Sequence, residues 1–226
     1  VDFADRYLGS ELTLHRKRGK PIVGFCGCAD TDPTHARRRA VDALQESDLV
    51  EDNFVIRPRF WAGAANDIER QSVRDEFVRN MVDSDYILCA RGAGNFSYRL
   101  YEALSSGRIP VFVDTDCVLP FDHIINWKEY CVWVDASEVD SIGEKVAAFH
   151  DSLTEQQFVE LQYACRKLWE EWLCPTGFFG NLHKYFGAES WECGVQSAEC
   201  GRDSASSRPA LRPRSGQASA PAEPKQ

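Results

Sequence analysis

Short apolar runs alternate with longer amphipathic stretches over most of the chain. Pro21–Cys26 suits a buried strand, and Gly27-Cys28-Ala29-Asp30-Thr31-Asp32-Pro33 follows as a loop of turn residues. Thr34 is placed to cap a helix that reaches about Ser47. A second strand is expected over Phe54–Phe60, interrupted by Pro58. Asp67–Val82 reads as a helix with Ile68, Val73, Phe77 and Met81 on one side. Next comes a strand over Tyr86–Ala90, then Arg91-Gly92-Ala93-Gly94-Asn95, whose glycines and asparagine favour a loop. Ser97–Ser106 carries Leu100, Ala103 and Leu104 at helical spacing, and Gly107 stops it. Ile109–Val113 and Cys131–Val134 are two further strands, and a helix is expected from Ser137 to about His150. Thr154 with Gln157 forms a capping box. Phe158, Leu161, Cys165, Leu168 and Trp172 mark the buried stripe of the helix that follows, with Pro175 and Gly177 as its stop. A last short helix is read over Phe179–Phe186.

Strands alternating with helices predict an α/β, Rossmann-like parallel sheet with helices on both faces. In the unit from Tyr86 to Val113 the loop meets a helix N-terminus, whose free N–H groups and partial positive charge suit a phosphate. Arg91 and Arg99 flank that end, and Glu102 shares a helix face with Arg99. Arginine gives permanently charged, bidentate contacts to phosphate. A carboxylate can accept from both ribose hydroxyls. The plainer alternatives are an Arg99–Glu102 pair across one turn and a solvated helix glutamate. Ser97 and Asn95 are expected to cap the helix, and either could donate to phosphate as well. Gly27 lets backbone approach a ligand, or simply turns the chain.

These residues carry a resemblance. Cys89, Arg91-Gly92, Ser97-Tyr98-Arg99-Leu100, Glu102-Ala103-Leu104, Gly107-Arg108-Ile109-Pro110-Val111, Leu119-Pro120-Phe121 and Ile125-Asn126-Trp127 stand in the order found in the exostosin family of glycosyltransferases. The likeness is clear over about residues 80–186 and weaker over 20–60. Ala90 stands where the family usually has proline. The resemblance implies the C-terminal, nucleotide-sugar-binding half of a GT-B fold. It implies Arg91, Gly92, Asn95, Ser97, Arg99, Glu102 and Gly27 at a donor site, with Arg38 matching an arginine some members have near the first loop. The expected activity is glycosyl transfer from a nucleotide-diphosphate sugar, with UDP as carrier, to a glycan or glycoconjugate acceptor. It is expected to be inverting and metal-independent, with no cofactor besides the donor. A non-catalytic half that pairs with an N-terminal GT-B half or in an oligomer is the alternative. No catalytic base can be named.

Composition narrows this picture. The 226 residues carry a net charge of −9, which argues against nonspecific nucleic-acid binding. Residues 188–226 hold five acids and five bases, so the imbalance belongs to the preceding part. From residue 188 the Ser, Ala, Pro, Gly and Arg content predicts a disordered tail. Residues 1–19 are expected to be a linker or the end of a missing N-terminal half, and residues 20–187 the nucleotide-sugar domain. No run of about 18 apolar residues marks a membrane span. The family resemblance places a eukaryotic version in the Golgi and a bacterial one in the cytoplasm. Nine cysteines fit no complete disulfide framework, and Cys89, Cys131 and Cys165 read as buried small hydrophobes. Asp114-Thr115-Asp116 resembles a DxD metal motif, the second enzyme alternative, although acids are common in such loops. Cys26 with Cys28 and Cys193 with Cys200 lack the further ligands a zinc site needs.

Overall fold

A computed structural model of the protein describes residues 3–8 and 12–185. The tail expected from residue 188 and Cys193 and Cys200 lie outside the described residues. Five strands form one parallel sheet in the order β2-β1-β3-β4-β5: Ile22–Gly27 (β1), Glu51–Ile56 (β2), Tyr86–Cys89 (β3), Ile109–Asp114 (β4) and Val132–Asp135 (β5). Around it lie Phe3–Tyr7 (α1), Ala36–Glu46 (α2), Asp67–Asp83 (α3), Tyr98–Ser105 (α4), Ile142–Ser152 (α5), Glu155–Leu168 (α6) and Pro175–Tyr185 (α7). The Rossmann-like α/β class expected from the sequence is the one observed.

Strand side chains alternate between two faces, and both faces are buried. Tyr86, Leu88, Val111 and Val113 point into a core shared with Ala40, Val41 and Leu44 of α2 and Ile142 and Val146 of α5. Ile87, Cys89 and Phe112 point into a second core with Met81 of α3, Leu100 and Leu104 of α4 and Cys165 of α6. This double burial explains why the strands read as continuous apolar runs. Cys89, Cys131 and Cys165 are buried free thiols. No helix among the described residues is long and apolar enough to cross a membrane.

Several boundaries move. β2 begins at Glu51 and ends at Ile56, paired with β1 from Ile22↔Glu51 to Gly27↔Ile56. It therefore stops before Pro58, which cannot donate to a ladder. Thr34 does not cap α2; its N–H and hydroxyl both go to Asp32 Oδ1, at 2.9 and 2.8 Å. His35 takes the N-cap position in the left-handed region, φ 58°. Pro175 and Gly177 start a helix instead of ending one. α6 passes into a π-turn over Trp169–Leu173, and Pro175 opens α7, where its missing N–H costs nothing. The capping box is formed: Gln157 N–H donates to Thr154 Oγ1 at 3.2 Å, and Thr154 N–H to Gln157 Oε1 at 2.8 Å.

Residues 12–20 run as a strap across the N-terminal ends of the strands. Asp85, just before β3, accepts from Ile22 N–H at 3.1 Å and meets His15 Nδ1 at 2.8 Å. Arg108, just before β4, is 1% exposed and donates to Gln162 Oε1 at 3.1 Å and to the Thr13 carbonyl. Gln162 accepts from His15 N–H at 2.8 Å and donates to the His15 carbonyl at 2.9 Å. One buried carboxamide therefore satisfies the strap backbone and a buried guanidinium together. Gln162→Leu is expected to destabilise the chain by about 2–4 kcal/mol, because it leaves several buried polar groups unpaired. A urea titration checks this through a lowered midpoint at unchanged slope.

Candidate functional site

β1 leads through α2 outward to β2, whereas β3 leads the other way to β4 and β5. The chain direction therefore switches between β1 and β3, where an open α/β sheet forms its ligand crevice. β1 pairs with β3 only at Val23↔Tyr86 and Gly24↔Ile87, so the two strands part towards their C-terminal ends. A cavity of about 650 Å³ opens there. Its floor and walls include Gly27, Arg37, Arg57, Gly92, Ser97, Arg99 and Glu102.

Two guanidinium groups occupy the parting. Arg99 reaches back from the first turn of α4 and donates to the Cys26 carbonyl at 2.6 Å. It also lies over the Phe25 ring, 4.6 Å from its centroid. Arg37, in the first turn of α2, donates to the Cys28 carbonyl at 3.1 Å, Thr31 Oγ1 at 3.0 Å and the Ala90 carbonyl at 3.0 Å. It thus ties the loop after β1 to the end of β3. Gly27 and Gly92 permit these approaches, since a Cβ on either would stand 3.0 Å from a guanidinium nitrogen. Arg57, just after β2, donates to Glu76 at 2.6 Å and to the Val73 carbonyl at 2.7 Å. The Nε atoms of Arg37, Arg57 and Arg99 are buried without a hydrogen-bond partner.

Burial lowers the Arg37 pKa to about 10, and the like charge of Arg99 adds to the effect. Burial also lowers the Arg99 pKa, against the opposing pull of Cys89, Glu102 and Cys26. Burial pushes the Glu102 carboxyl up, and Arg99 only partly offsets it. Among the described residues Glu102 forms no ion pair within 4.0 Å, so the simple Arg99–Glu102 bridge is not present. Glu102 therefore brings a carboxyl group of raised pKa into the same cavity as Arg37, Arg57 and Arg99.

Of the sequence candidates, Gly27, Gly92, Ser97, Arg99 and Glu102 line the cavity, while Arg38, Arg91 and Asn95 do not. Arg38 projects outward onto Asp30, with Nε 2.7 Å from Oδ1. Arg91 lies 3.3 Å from Asp32 Oδ1. Asn95 turns away to the loop after β4. Neither Ser97 nor Asn95 caps α4 through its side chain; Ser97 holds the N-cap position by backbone alone. Arg37 and Arg57 were not singled out by the sequence. Helical spacing does carry a signal for Arg37, because Val41, one turn on, is fully buried while Asp42 after Arg38 is exposed. Among the described residues, no group of three or more His, Cys, Asp or Glu is placed to hold a metal ion.

The exostosin GT47 domain model matches residues 24–149, more than half of the chain, including both sides of this cavity. The chain belongs to the exostosin GT47 family. It is 29% identical over 115 residues to Exostosin-1 of Drosophila melanogaster, covering 51% of this chain and 14% of that protein. A probable glucuronosyltransferase of Oryza sativa subsp. japonica is 41% identical over 63 residues, 28% of this chain and 14% of the relative. A probable glycosyltransferase of Arabidopsis thaliana is 26% identical over 93 residues, 41% of this chain and 19% of the relative. The chain thus spans less than a fifth of the length of these relatives.

Asp32 supports the start of α2, and with it Arg37, from outside the cavity. It is 1% exposed and accepts from Thr34 N–H, Thr34 Oγ1 and Arg37 N–H, the last at 3.1 Å. Burial by itself raises its pKa, but those hydrogen bonds and the Arg91 charge together hold it below the ordinary carboxylate value. A depressed pKa means stability that is present above about pH 4 and lost as pH falls through the folded value. Asp32→Asn is therefore expected to cost about 1–3 kcal/mol at pH 7. The gap between variant and wild type should shrink progressively below about pH 4, as read by denaturant titrations across pH.

Proposed function

We propose that the cavity between β1 and β3 binds the nucleotide diphosphate of an activated sugar, with UDP as the carrier. The observation that carries this is the convergence of Arg37, Arg57 and Arg99 with the single carboxylate Glu102 at the point where the sheet changes direction. In this reading the arginines and the N-terminus of α4 receive the phosphates, and Glu102 accepts from the ribose hydroxyls. As part of a family protein, the chain contributes the donor side of glycosyl transfer to a glycan or glycoconjugate acceptor. That matches the names of its relatives, glycosyltransferases and glucuronosyltransferases.

During transfer the acceptor hydroxyl gives up its proton to a base and attacks the anomeric carbon, the bond from that carbon to the diphosphate oxygen breaks, and the diphosphate leaves with more negative charge. Fixed guanidinium charge stabilises that leaving group with no metal required. In-line attack on the face opposite the diphosphate makes the reaction inverting.

Titration calorimetry with UDP tests the donor site. Arg99→Ala is expected to weaken UDP binding by about 1.5–3 kcal/mol, the scale of a charge-assisted contact. Arg99→Lys, which keeps the charge but not the fork, should fall between the two. Equal affinity in wild type and both variants would remove Arg99 from the site.

Glu102 gives a separate expectation. Because burial raises its pKa, its charge is lost on acidification earlier than that of an exposed glutamate. UDP affinity should therefore weaken as pH falls towards the upper carboxylate range. Glu102→Gln should remove that pH dependence and lower affinity at pH 7 by roughly ten- to a hundredfold. A nucleotide without ribose hydroxyls should lose little further in the same variant. Additive effects of the protein and ribose changes would sink the assignment.

A further inference from the structure

The Asp114-Thr115-Asp116 turn and Asn95 have no place in the cavity, yet they are built against each other. Asn95 Nδ2 donates to the Thr115 carbonyl at 3.0 Å and to the Asp116 carbonyl at 3.3 Å. The Thr115 hydroxyl donates back to Asn95 Oδ1 at 2.6 Å. Both amide hydrogens and one oxygen lone pair of the carboxamide are thus engaged. The turn is shaped for this. Asp116 sits in the left-handed region, φ 59°, and its N–H is taken by Asp114 Oδ1 at 3.0 Å. That arrangement leaves the carbonyls of residues 115 and 116 free to face Asn95 together.

The loop after β3 is consequently held on two sides. On the cavity side Arg37 grips the Ala90 carbonyl, and the Gly92 backbone packs against the Arg37 guanidinium. On the far side Asn95 grips the turn after β4. Between these two fastenings stand Gly92, Ala93 and Gly94, all cavity-lining residues with small or absent side chains. A loop so rich in glycine has little stiffness of its own.

We propose that Asn95 is a positioning residue, which latches the loop after β3 onto the Asp114–Asp116 turn and so fixes the loop backbone that faces the cavity. Its effect on nucleotide binding rests on the donor-site reading above, whereas the latch itself rests on the loop geometry. Asn95→Asp removes both N–H donors and sets a carboxylate against two carbonyl oxygens. Thr115→Val deletes only the hydroxyl, and Thr115→Ser keeps it. Amide hydrogen exchange at Gly92, whose N–H donates to the Phe96 carbonyl at 3.4 Å, should become at least about tenfold faster in Asn95→Asp, intermediate in Thr115→Val and unchanged in Thr115→Ser. UDP affinity should fall about tenfold in Asn95→Asp and be retained in Thr115→Ser. Wild-type exchange rates in Asn95→Asp would overturn the latch. Faster exchange with unchanged UDP affinity would overturn the positioning role. If the wild-type chain bound no UDP, the donor-site reading would fall, and the exchange rates alone would then decide the latch.

Discussion

The early parting of β1 from β3 is the constraint on which the site depends. Their ladder covers Val23↔Tyr86 and Gly24↔Ile87 and goes no further. Beyond it, the carbonyls of Cys26, Cys28 and Ala90 have no strand partner across the gap, and buried carbonyls need donors. Arg99 and Arg37 supply them. Each guanidinium has more donors than the backbone uses, so satisfying the parted strands leaves directed positive charge over. The same side chains that close the structural gap thereby open a chemical one.

Those cations are held from outside the cavity. Arg37 can point at the gap because Asp32 fixes the start of α2, and Asp32 is in turn fixed by Thr34 and Arg91. Arg91 thus acts on the site through a carboxylate and a helix start, without lining the cavity. At the other end of the strands, Asp85, Arg108 and Gln162 bind the strap over residues 12–20 through Thr13 and His15. The two ends of the sheet divide the work. Hydrogen bonds at the N-terminal ends hold the chain together, while unequal charges at the C-terminal ends face the cavity.

Most of the fold could be read from the sequence because both sheet faces are buried. Tyr86–Cys89 and Ile109–Val113 are apolar throughout, and turn residues bound them. β2 was read too late because its first residues, Glu51 and Asp52, are exposed edge positions that carry no apolar signal. The start of α2 was misassigned because Asp32, two residues further back, takes the Arg37 N–H that Thr34 was expected to serve. Arg99 and Glu102 were legible because loop, helix and charge fall within one short stretch. Arg37 and Arg57 were not, because they come from separate elements that only the sheet order brings together. In the run Arg37-Arg38-Arg39, a side chain under the loop and one on the surface differ by a single helical step.

The excess of guanidinium over carboxylate in the cavity has a practical corollary for handling the protein. Any small anion that binds the folded form and not the unfolded one raises its apparent stability by mass action. If the cavity receives a diphosphate as proposed, phosphate, sulfate and citrate are such anions, and chloride is a weaker one. The melting temperature is therefore a joint property of chain and buffer. On that reading salt acts in two opposite ways, screening the chain's net −9 and competing for the guanidinium groups of the cavity.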